Sequence, residues 1–157
     1  MMMLMRSVLA SHNQELYAIV VRDTADIADR LGSCHIEALS SSDGRYQFWL
    51  TPSLRGGRRL NAPATKLLFA LNTFRAIQTP LLRGDVVITS RTTAGTPAAL
   101  SDEQLRGLLE SLRSIARRAE CTIERRIRQA TRADRRARDR AVDPEPWRQD
   151  FRAPAGE

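Results

Sequence analysis

The chain has 157 residues, with 25 basic and 18 acidic side chains and a formal net charge of +7. That length suits one domain with appendages. Two cysteines make no disulfide framework, and no apolar run reaches the 18 or so residues that a membrane span needs. The start, Met1-Met-Met-Leu-Met5, meets Arg6 too soon for the h-region of a signal peptide, so a cytoplasmic setting is expected, with Met1 and Met5 equal candidates for the start.

Short strands are expected at Ser7–Ala10 and at the continuous apolar run Leu16–Val21, which reads as a central strand. A helix over Thr24–Leu31 follows, capped by Asp23 or Thr24 and ended by Gly32. Cys34–Leu39, with Ile36 and Cys34 facing inward, and Arg45–Leu50 form a hairpin around the turn Ser40–Gly44, where Asp-Gly supplies positive φ. Asn61 caps a helix from Ala62 to about Phe74, with Pro63 in its first turn and Leu67, Leu68, Leu71 and Phe74 on its buried face. A last strand, Asp85–Ser90, puts Val86, Val87 and Ile88 in the core. The fold class is therefore α+β: a small mixed or antiparallel sheet of about five strands, two short helices and one long helix.

That long helix is expected as a single rod over 101–141. Ser101 and Gln104 form a capping box, and Asp102 and Glu103 suit the positive end of the helix dipole. Leu105, Leu108, Leu109, Leu112, Ile115, Ala116, Ala119, Ile123, Ile127 and Ala130 fall within an arc of about 120°. Arg113, Arg117, Arg118, Arg125, Arg128, Arg132, Arg135 and Arg136 occupy the other side. Arg106/Glu110, Glu124/Arg128, Asp134/Arg138 and Arg135/Asp139 are spaced for ion pairs along the helix. Forty helical residues span about 60 Å, longer than a domain of ~100 residues is wide. The distal stripe then needs a cover from outside. Residues 1–100 read as the domain and 142–157, with Trp147 and Phe151, as a disordered tail.

Charge is unevenly placed. Residues 113–140 hold 11 arginines and 4 acids, whereas the rest of the chain balances at 14 and 14. The basic residues comprise 24 arginines and one lysine, Lys66, so part of this richness is compositional.

The order of parts resembles a family of small domains of unknown function found in bacteria, their plasmids and phages. The residues that carry the resemblance are Met5-Arg-Ser-Val-Leu9, Gly32, His35-Ile-Glu37, Asp43-Gly, Phe48-Trp-Leu50, Leu60-Asn-Ala-Pro-Ala-Thr-Lys-Leu-Leu68, Leu82-Arg-Gly-Asp-Val-Val-Ile-Thr89 and Leu100-Ser-Asp-Glu-Gln104. It covers about residues 5–105 and implies an α+β fold and a mobile-element setting, but no activity. The basic loop Ser53–Arg59 and the extension after Gln104 depart from the pattern.

Two uses of the helix follow. Its arginines, with Arg58 and Arg59 of the basic loop, could track the phosphates of DNA or RNA; the plain alternative is a solvated face. Its stripe, Leu112, Ile115, Ala119, Ile123 and Ile127, could meet a second copy or a protein partner. Arg55-Gly-Gly-Arg-Arg59 lacks the Gly-Lys-Ser/Thr of a P-loop. Asn61 with Thr65 reads as a helix cap rather than a polar site. His12 and His35 sit in no triad pattern, and Arg83-Gly-Asp85 reads as a chance tripeptide. No catalytic residue, metal site, cofactor or membrane contact is expected.

Overall fold

The computed structural model describes residues 4–52 and 58–141. Met1–Met3, the loop residues Ser53–Gly57 and the segment 142–157, with Trp147 and Phe151, lie outside the described residues.

Among the described residues, six strands form one antiparallel sheet: β1 (Met5–Ala10), β2 (Leu16–Val21), β3 (Glu37–Ser40), β4 (Tyr46–Leu50), β5 (Val86–Arg91) and the two-residue β6 (Pro97–Ala98). The order is β2-β1-β5-β4-β3, with β6 pairing the far end of β5. Four helices accompany it among the described residues: α1 (Thr24–Leu31), α2 (Ala62–Ala70), α3 (Asp102–Arg113) and α4 (Arg117–Ala141). No described helix is long and apolar enough to cross a membrane.

Period-two alternation divides the apolar residues between two faces of the sheet. Val8 and Ala10, Tyr46 and Phe48, and Val86 and Ile88 join α2 and α3 in one core. Met5, Trp49, Val87 and Val21 join Ile27 and Leu31 of α1 in the other. β5 has apolar residues buried on both faces because it is the middle strand. The apolar run of β2 misleads: β2 is an edge strand, with Tyr17 and Val20 exposed, and the buried run belongs to β5. β3 starts at Glu37, which leaves Cys34 exposed; only Ile36 packs inward.

The caps form as the sequence suggests. Asp23 accepts from Asp26 N, and Gly32 ends α1 in the left-handed region at φ 67°. Ser101 and Gln104 close the capping box of α3. Asn61 caps α2 through Ala64 N, and its amide also donates to Ala10 O and Gly84 O at 2.8 Å. Thr65 bonds Asn61 O and accepts from Leu82 N. Both side chains are fully buried and fully engaged, as buried polar groups must be. α2 ends at Ala70, so Phe74 falls beyond it and is exposed.

The expected single rod is broken. α3 ends at Ser114, whose N–H still reaches Glu110 O, and α4 starts at Arg117. Neither Gly nor Pro stands at 114–116. Tertiary contacts set the bend: α4 turns back and lies along α2, burying Ile123 completely. Full burial of such a side chain is worth about 1.5–3 kcal/mol, enough to outweigh a few helical hydrogen bonds of modest net value.

Candidate nucleic-acid interface

α4 is attached to the domain by its polar residues as much as by Ile123. Lys66 of α2 holds Glu120 at 3.0 Å and Glu124 at 2.9 Å. Burial alone would lower the Lys66 pKa, but the hydrogen bonds and charges of Glu124 and Glu120 outweigh it and raise it. The Lys66 hydrogen bond, then its charge, holds the Glu124 carboxyl below its ordinary value. Arg126 Nη1 donates to Ala76 O at 2.7 Å and Thr79 O at 2.8 Å, tying α4 to the loop after α2. Nearer its end, Arg83 pairs with both carboxylate oxygens of Asp134.

The consequence is a separation of charge. Of the four acids on α4, Glu120, Glu124 and Asp134 are turned inward onto cations of the domain. None of the four expected pairs along the helix forms among the described residues; Glu124 and Asp134 have partners elsewhere. Arg117, Arg118, Arg125, Arg128, Arg132, Arg135 and Arg136 are all exposed, and none is in an ion pair among the described residues. At 100° per residue they fall in an arc of roughly 100°, along about 28 Å of helix. Arg113 is exposed at the end of α3, before the bend.

The stripe Leu112, Ile115, Ala119, Ile123 and Ile127 is turned partly toward the chain's own domain. Ile123 is fully buried and the other four are half-buried. The expected projection past the domain is replaced by a helix that stays in contact with it as far as Asp134, through Arg83.

Turning α4 back also brings Arg58 and Arg59 to it. Arg58 and Arg59 line a cleft of about 240 Å³ whose other wall is α4, with Thr131, Asp134 and Arg138. Arg58 is half-buried and fixed: Nη1 donates to Thr51 Oγ1 at 2.8 Å and to Leu31 O at 3.4 Å. Its stem lies so close to Gly84 that a Cβ there would meet it at 2.9 Å. Arg59 is exposed. Gln14, at φ 73° in the β1–β2 turn, forms the rim; its amide bonds Leu60 O and Ala62 N. Arg55 of the same loop is outside the described residues.

Other sequence candidates are accounted for by contacts. Arg83 and Asp85 diverge, the first to Asp134 and the second to His12, whose Nδ1 lies 2.8 Å from Asp85 Oδ1. That pair is 73 residues apart, beyond any spacing argument, and no nucleophile is hydrogen-bonded to it among the described residues. Cys34 and Cys121 are free and exposed. Among the described residues, no group of three or more His, Cys, Asp or Glu could hold a metal ion. Lys66, Arg83 and Arg126 were not legible as docking residues. The one available signal was that Glu120 and Glu124 share the helix edge of Ile123 and Ile127.

Comparison of the chain with family models, with curated proteins and with solved structures gives no match.

Proposed function

We propose that the chain is a small non-enzymatic accessory protein that binds nucleic acid without sequence preference through the outer face of α4. The observation behind this reading is the charge separation: the domain takes up three of the helix's four acids, leaving a strip of unpaired guanidiniums. Compositional preference explains why these residues are arginine rather than lysine. It does not explain why three of the four acids are paired with cations of the domain instead. Guanidiniums suit phosphate, and each phosphate neutralised releases counterions. The strip carries no aromatic side chain to stack on bases, so it reads the backbone. The resemblance over residues 5–105 adds a mobile-element setting to this proposal.

The test is fluorescence anisotropy with mixed-sequence DNA and RNA between about 50 and 200 mM salt. Log affinity should fall linearly with log salt. Replacing Arg118, Arg125, Arg132 and Arg136 together by Ala should make the slope shallower by about 3–4 and leave Tm unchanged within about 2 °C, since all four are exposed. Absence of binding at low ionic strength overturns the proposal.

A further inference from the structure

The cleft between Arg58–Leu60 and α4 has more positive charge than its own contacts use. Its one carboxylate, Asp134, is already taken on both oxygens by Arg83. Against it stand Arg58, Arg59 and Arg138, and none of the three is in an ion pair among the described residues. Arg58 is the telling one. It is half-buried, its position is set by Thr51, Leu31 and the close approach of Gly84, and one nitrogen carries both of its hydrogen bonds. A partly desolvated cation held in place without a counter-ion is an arrangement an anion completes.

The form of the site selects among phosphates. A strip on a helix surface lets a strand pass along it. This cleft is walled by α4 on one side and by Arg58, Arg59, Leu60 and Gln14 of the β1–β2 turn on the other. It confines a phosphate on two sides, where the strip confines it on none. A phosphate monoester at a strand end carries ≈ −1.5 to −2 charge near neutral pH, against the single charge of an internal diester, and so matches three guanidiniums better. The cleft is also continuous with the strip: Arg128 and Arg135 stand three and four residues from Thr131, one helical turn to either side.

We propose that this cleft takes the terminal phosphate of a nucleic-acid strand whose backbone runs along the outer face of α4. The inference rests on the reading of that face as a nucleic-acid surface.

Three oligonucleotides of one mixed sequence and length separate the two ideas: one with a 5′-phosphate, one with a 3′-phosphate, one with hydroxyls at both ends. All are measured by anisotropy on the full chain at fixed, moderate salt. A phosphate at one end should tighten binding by about tenfold over the hydroxyl-ended strand, as charge-assisted hydrogen bonds allow; which end responds identifies the terminus. Arg59→Ala with Arg138→Ala removes two exposed cations of the cleft, and that preference should disappear. Arg117→Ala with Arg118→Ala removes the same charge at the opposite end of α4; it should weaken all three oligonucleotides and keep the preference. Equal affinity for all three in the unmodified protein overturns the inference and leaves the proposed function standing. A preference that survives Arg59→Ala with Arg138→Ala also overturns it, since the end would then be held elsewhere. No binding of any oligonucleotide overturns both.

Discussion

α3 and α4 are consecutive amphipathic helices, yet they are attached by different means. α3 belongs to the core. Leu108 is 2% exposed and joins Tyr46, Phe48 and Leu68, while Gln104 is buried with its amide on Arg45 O and Ser90 Oγ. Gly107 lets the Tyr46 hydroxyl come close enough to donate to Gln104 O; a Cβ there would meet that oxygen at 3.1 Å. Among its described side chains α4 has one that is fully buried, with Ala119 and Ile127 half-buried beside it, and the rest of its attachment is charged or polar. Apolar packing makes a helix part of the cooperative fold. A polar clasp makes it a rider whose free side can be specialised.

The sharpest way to break this contrast is in α3. Leu108→Ala should lower global stability by about 2–5 kcal/mol, read as an earlier denaturant midpoint for the whole protein with amide exchange accelerated throughout the sheet. Ile123→Ala should cost less, about 2–3 kcal/mol at most, because α4 can undock before the sheet unfolds. Its exchange signature should be confined to α4 and the loop around Ala76–Thr79, with β5 amides still protected. If β5 loses protection as much as α4 does, the two helices form one cooperative unit and the contrast is wrong.

The smallest effect is the clasp itself. Lys66→Met should lower Tm by an amount corresponding to about 1 kcal/mol or less, since Glu120 and Glu124 are 41% and 48% exposed. Its pH dependence carries the information. The Glu124 carboxyl is depressed below its ordinary value of 4.5, so its contribution is present above that pH and is lost as pH falls through the lowered value. The Lys66 ammonium is raised above 10.5, so its contribution is present below that pH and is lost as pH rises through the raised value. The Tm difference between the unmodified protein and Lys66→Met should thus be flat across neutral pH and close at both extremes. A difference that persists in strong acid would mean that Lys66 acts through packing rather than charge.

Local chemistry was the legible part of this fold. Asp23, Gly32, Asn61, Ser101 and Gln104 cap helices through contacts within a few residues, so the sequence displays them. Position in the sheet was not legible: the runs in β2 and β5 are both apolar, and only pairing with both β1 and β4 makes β5 central. The bend at 114–116 was hidden for the same reason. Its cause lies in α2 and the loop after it, about 50 residues away, and no helix-breaking residue marks it. The candidate arginines were found from periodicity. The ion pairs of Glu124 and Asp134 with the domain were not, because spacing along α4 pairs Glu124 with Arg128 and Asp134 with Arg138.

The contact between Arg83 and Asp134 has a consequence for how this chain can change over time. Two guanidinium nitrogens meet two carboxylate oxygens, a planar match that an ammonium does not reproduce. Position 83 is therefore tied to arginine by shape, whatever the compositional drift of the sequence. The outer strip of α4 is not tied in this way: a phosphate track needs positive charge at intervals, and lysine supplies it. Divergent copies of this protein should exchange arginine for lysine freely along the strip while keeping the 83–134 pair intact, so that the order in which arginines are lost would separate the residues that build the molecule from those that only charge it.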